Sequence, residues 1–112
     1  MDKLERYRQI IQKIIENHAV YTPTYGEIET VSVCDSVHDN YLLINIGWDR
    51  TGRVHAVDLH LRIKEDKIWV EWDGTENGVT EELLEAGVLP EDIVLGFYRP
   101  ERRSIIDFSV AH

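Results

Sequence analysis

The chain has one cysteine, three prolines, and no apolar run near the roughly 20 residues that a membrane helix needs. A single thiol excludes an intramolecular disulfide and any zinc site built on cysteines. That thiol, Cys34, stands in Ser32-Val33-Cys34-Asp35, which is expected to be strand, where a free Cys is a small buried hydrophobe. Nothing beside it supplies a base or a helix N-terminus to lower its pKa. The first residues, Met1-Asp2-Lys3-Leu4-Glu5-Arg6, are charged and periodic where a secretory leader would be apolar, so the expected location is the cytoplasm. Internal repeats, low-complexity tracts, a phosphate-binding glycine loop, a recombinase signature and a Ser-His-Asp pattern are all missing.

Basic charge is also scarce. There are 12 Lys and Arg against 21 Asp and Glu, a net charge of −9. Residues 71–92 hold Glu71, Asp73, Glu76, Glu81, Glu82, Glu85, Glu91 and Asp92 and no basic residue. Duplex DNA is bound by neutralising phosphates, so strong direct nucleic-acid binding is not expected. A single-sign field of this kind suits a basic protein partner, and places the expected contact around Asp73, Glu76, Glu81, Glu82 and Glu85.

What is present is enough for one domain: 112 residues, 43% of them apolar, with three Trp and five Tyr. Within 1–18, Leu4, Tyr7, Ile11, Ile14, Ile15 and His18 recur at spacings of three and four, the pattern of an amphipathic helix that packs on a sheet, and Asn17-His18 with the break at Thr22-Pro23 ends it. Four β-rich stretches follow, 27–37, 41–48, 53–63 and 67–72, joined by short polar turns and forming three or four strands. The predicted fold is α+β: an antiparallel meander with one apolar face under the first helix, and a second short helix after the fourth strand. Alternation places Ile44, Ile46, Trp48, Leu59, Leu61, Ile68, Val70 and Trp72 on that face, with Val57 and Ile63, and Trp69 on the other. Thr80 is expected to cap the second helix and Gly87 to stop it. Residues 93–97 read equally as strand or 3₁₀ turn, and 105–110 as a closing strand.

The fourth strand runs into Asp73-Gly74-Thr75-Glu76-Asn77-Gly78, which breaks it. Asp73 and Glu76 at the end of a sheet could hold a hard cation or take a substrate proton, the basis of a rival reading as a small metal-dependent hydrolase. The same residues also serve plain structure: Asp accepts the turn's backbone hydrogen bonds, and Glu ahead of a helix start is favoured by the helix dipole. No cofactor is expected. On the third strand His55 falls on the apolar side and His60 on the other, so the two are not expected to share a metal. Glu71-Trp72-Asp73 has Asp where a metal-dependent nuclease would place Lys. Arg99, Arg102 and Arg103 form the single basic cluster, readable most simply as a solvated loop or a clamp on the acidic stretch, and otherwise as a DNA contact or a partner contact.

Lys67-Ile68-Trp69 leading into Asp73-Gly74-Thr75-Glu76, then Gly78 and Asp92-Ile93-Val94-Leu95-Gly96-Phe97, resembles the XisI family, the fdxN element excision controlling factors. The resemblance extends through Tyr41-Leu42-Leu43, Gly47-Trp48, Arg53-Val54-His55 and His60, and onward through Pro100-Glu101 and Arg103 to Phe108. Asn40, Tyr98-Arg99 and Ile106 depart from the family pattern, where His, His-Pro and Thr are common. The resemblance implies an accessory factor in programmed excision of a DNA element, whose strand exchange is performed by a separate recombinase. It also implies a protein partner, an XisH-like protein of restriction-endonuclease fold, and brings no catalytic residues. A homo-oligomer is compatible with all of these features.

Overall fold

The computed structural model describes residues 2–21, 27–75 and 78–99. The amphipathic pattern forms α1, Lys3–Tyr21, which runs three residues beyond the predicted 1–18 and brings Ala19 against the core, and Asp2 Oδ1 accepts the Glu5 N–H at 2.8 Å. Four strands then make the expected meander: β1 (Glu27–Asp35), β2 (Asn40–Asp49), β3 (Gly52–Lys64) and β4 (Lys67–Asp73), each antiparallel to the last. After α2 (Val79–Glu85) and the 3₁₀ turn Pro90–Asp92, β5 (Ile93–Leu95) joins β4 in parallel, so the sheet is mixed and ordered β1-β2-β3-β4-β5. Parallel pairing is the consequence of the helical crossover through α2, which returns the chain to the same end of the sheet. The expected strand at 105–110 lies outside the described residues.

α2 ends in a Schellman motif. Gly87, with φ 104°, gives its N–H to the Leu84 carbonyl, and Val88 gives its own to Leu83. Both Leu83 and Val88 are buried, which supplies the apolar contact that accompanies such a stop.

The core is a sandwich of α1 and α2 on one sheet face. Tyr7, Ile11, Ile14 and Ile15 of α1 and Val79 and Leu83 of α2 close over Tyr41, Leu43, Leu59, Leu61, Ile68 and Val70. This corrects the predicted face at Ile44, Ile46, Trp48, Val57 and Trp72. Cross-strand pairing joins Tyr41 to Leu61 and Leu43 to Leu59 beneath the helix, so Leu42, Ile44, Ile46 and Trp48 lie on the opposite face. Two bulges do the rest. Leu43 pairs with Leu59 but Ile44 with Val57, leaving Asp58 extra; Leu61 pairs with Val70 but His60 with Trp72, leaving Glu71 extra. Each extra residue reverses the parity of its strand, so Val57 and Trp72 leave the helix side. Trp48 and Trp72 are 54% and 55% exposed. Cys34, expected to be buried, is exposed on the edge strand β1, although partial desolvation and the Glu16 carboxylate push its thiol pKa up.

Candidate partner-binding site

The turn after β4 is built by one carboxylate. Asp73 Oδ1 accepts the Thr75 N–H at 3.0 Å and the Thr75 hydroxyl, while Oδ2 accepts the Val79 N–H at 2.8 Å. Asp73 therefore caps α2 from six residues upstream, and Thr80, expected as the cap, is inside the helix, whose N-cap is Gly78. The turn hangs on the β3 bulge: Gly74 N–H donates to the Asp58 carbonyl at 2.7 Å, and a Cβ on Gly74 would lie 2.8 Å from that oxygen. Both oxygens of Asp73 are spent on the chain's own donors. Glu76 lies outside the described residues, as do Pro100 and Arg103. Among the described residues no three His, Cys, Asp or Glu gather as metal ligands would.

The acidic stretch divides into engaged and free groups. Asp92 is buried, accepts the Tyr7 hydroxyl at 2.6 Å, and has Lys3 Nζ 3.4 Å away. Glu71 holds Arg62 at 3.0 Å on the face away from the helices. Glu82 places both carboxylate oxygens 2.9 Å from His18 Nε2, bracing α2 against α1. Glu81 and Glu85 are exposed and make no hydrogen bond or ion pair among the described residues. Glu85 lines an open groove of about 690 Å³ between α1 and α2, together with Ile10, Lys13, Ile14, His18 and Glu82.

The remaining family positions sit elsewhere. Trp69 is half-buried, donates its indole N–H to the Lys64 carbonyl at 3.1 Å, and carries Lys64 Nζ 4.7 Å above its ring. Gly96 lies against it and donates its N–H to the Val70 carbonyl at 2.8 Å, while the Phe97 ring stacks on Tyr98. Because of the bulge at Asp58, His55 and His60 share a face, contrary to the predicted split. Their β2 partners Ile46 and Leu42 are four residues apart, about 13 Å, which is too far for one metal ion. His60 Nε2 lies 3.1 Å from Asn40 Oδ1. Burial lowers its pKa, Glu71 opposes that and Arg62 adds to it.

Sequence reading missed the sheet face opposite the helices, which no element covers among the described residues, as a surface. The signal was present: β2 carries apolar residues at both parities, Tyr41 and Leu43 against Leu42, Ile44 and Ile46, the mark of a strand with two faces to cover.

The arrangement has close counterparts. A XisI-like protein of Anabaena variabilis is 32% identical and superposes with a TM-score of 0.87, over 93% of this chain and 95% of that one. The fdxN element excision controlling factor XisI of Anabaena variabilis is 35% identical with a TM-score of 0.84, over 97% and 99%. No curated protein matches. The sequence model of the XisI protein matches residues 1–110. With the match spanning both helices and every strand of the sheet, the chain belongs to the XisI family.

Proposed function

We propose that the chain is a non-catalytic controlling factor of DNA-element excision that acts by binding a protein partner, an XisH-like nuclease-fold protein. The observation that carries this reading is the division within 71–92. Asp73, Glu71, Glu82 and Asp92 are committed to the chain's own turn, sheet, helix pair and core, and Glu81 and Glu85 are left exposed on α2, Glu85 at the groove between α1 and α2. Exposed charge of one sign steers a basic partner and contributes little to folding stability. The rival hydrolase would ask Asp73 to bind a cation or a proton in competition with the three hydrogen bonds that its two oxygens already accept.

The test is the association rate of the purified chain with the XisH-like protein across a salt series. Glu81→Gln with Glu85→Gln is expected to slow association several-fold at low salt and to flatten its salt dependence, with thermal stability unchanged. Glu82 is kept, since it braces α1. An unchanged rate would place the interface elsewhere, at Trp69 or at the segment holding Arg103. Calorimetric titration with Mg²⁺, Mn²⁺ and Ca²⁺ addresses the rival; binding heat that vanishes in Asp73→Asn would favour it.

A further inference from the structure

Among the described residues no element covers the sheet face opposite α1 and α2. Its middle is apolar. Ile44 of β2 lies between Val31 of β1 and Val57 of β3, and Ile46 and Trp48 continue the stripe along β2. Val57 is 38% exposed and Trp48 54%, too much contiguous apolar surface to be scattered residues of a polar face.

The charge on this face is antisymmetric about β2. On the β1 side the residues beside Trp48 and Ile46 are Glu27 and Glu29; on the β3 side they are Arg53 and His55. Arg53 lies 5.5 Å from the Trp48 ring and spends one donor on the Gly47 carbonyl at 3.4 Å, so the rest of its guanidinium fork is available.

We propose that this face joins two copies of the chain, packed sheet to sheet about a two-fold axis running along β2. That operation carries β1 of one copy over β3 of the other. Glu27 then meets Arg53, Glu29 meets His55 and Val31 meets Val57, while Ile44, Ile46 and Trp48 meet their own counterparts. A two-fold axis across the strands would instead set β1 over β1, acid against acid. A foreign partner of one charge sign would meet repulsion on one side of the stripe, whereas a second copy supplies the matching pattern. The inference does not rest on the partner-binding reading, since α2 packs on the other side of the sheet and stays accessible.

Sedimentation equilibrium of the purified full chain across a dilution series tests it. Wild type is expected to show a monomer–dimer equilibrium, and Ile44→Glu to raise the dissociation constant at least about tenfold. Glu27→Arg and Arg53→Glu are each expected to weaken the dimer, because each sets like charges over one another twice. Mixing these two variants is expected to restore a dimer, because in the mixed pair both contacts between positions 27 and 53 again join opposite charges. That rescue depends on the register of the contact and not on the stability of either variant. A chain that stays monomeric at every concentration would overturn the proposal. So would a dimer that none of these changes weakens, or a monomer in which Ile44→Glu abolishes binding of the XisH-like protein.

Discussion

The Tyr7 hydroxyl donates to Asp92 Oδ2 across 2.6 Å, tying the first helix to a turn 85 residues later. Tyr7 is fully buried and Asp92 is 6% exposed. The same hydroxyl oxygen accepts the Leu89 N–H at 3.4 Å, so one phenol serves both sides of the turn that launches β5. Tyr7→Phe keeps the ring and removes both bonds, leaving the buried carboxylate, among the described residues, with Lys3 alone. The expected loss is about 1–3 kcal/mol in urea unfolding at unchanged m-value. A loss under about 0.5 kcal/mol would mean that Lys3 or water replaces the phenol.

Alkaline pH tests the same contact from the other direction. Burial, then the Asp92 hydrogen bond, raises the Tyr7 pKa above its ordinary 10.0, and burial with the Asp39 hydrogen bond raises that of Tyr41. A phenol whose folded pKa is raised gives stability that is complete below pH 10 and is lost as the pH rises past it, because the unfolded chain ionises first. Unfolding free energy is therefore expected to fall above pH 10 in wild type and to fall less steeply in Tyr7→Phe and in Tyr41→Phe.

The helices and the order of β1 to β4 were legible because each rests on local period and turn chemistry, whereas β5, readable equally as strand or turn, takes its parallel place beside β4 only through the α2 crossover. α1 shows it in Tyr7, Ile11, Ile14 and Ile15, and the stop of α2 in Gly87. Which face a strand buries was not legible where one extra residue reverses it. Val57 and Trp72 continue perfect alternations in sequence, and only pairing reveals that Asp58 and Glu71 are bulged. The site was legible as a turn at Asp73-Gly74, but its role as the cap of α2 needs the distance from Asp73 to Val79. The core contact of Tyr7 with Asp92 has no local signature at all, since nothing in the flanking sequence tells a buried Asp from a solvated one.

Gly47 of β2 is paired with Ile28 of β1. Its φ is 153°, and a Cβ there would sit 1.9 Å from the Glu27 carbonyl oxygen. The obstacle is backbone, which cannot swing aside as a long side chain can. Gly47→Ala is expected to cost about 3 kcal/mol and to speed exchange of the β1 amides with solvent ahead of those in β3 and β4. Uniform exchange across the sheet would show that the strand shifts as a whole instead.

Asp73→Asn distinguishes a structural carboxylate from a ligand. The amide retains one oxygen for Thr75 but turns the other acceptor, facing the Val79 N–H, into a donor. The expected cost is about 1–2 kcal/mol, a lost helix cap, with a fall in melting temperature that is the same with and without Mg²⁺. A metal-dependent difference between wild type and variant would show that the turn holds a cation.

His60 sets a stability loss in mildly acidic solution. Burial lowers its pKa below 6.5, so the neutral imidazole is favoured in the folded chain. Its Nε2–H then donates to Asn40 Oδ1. Because the folded pKa is depressed, the unfolded chain binds the proton first on acidification; stability is full above pH 6.5 and declines as the pH falls toward the folded value. Glu71 acts in the opposite sense, through its charge, and is held 3.0 Å from Arg62. Glu71→Gln is therefore expected to depress the His60 pKa further and steepen the acid loss. His60→Gln, which keeps a donor for Asn40 but cannot titrate, is expected to flatten it. The direct measurement is the NMR titration of the His60 ring in dilute solution: a midpoint above 6.5, or one unmoved by Glu71→Gln, would refute the account, because the first contradicts burial as the leading cause and the second removes Glu71 from it.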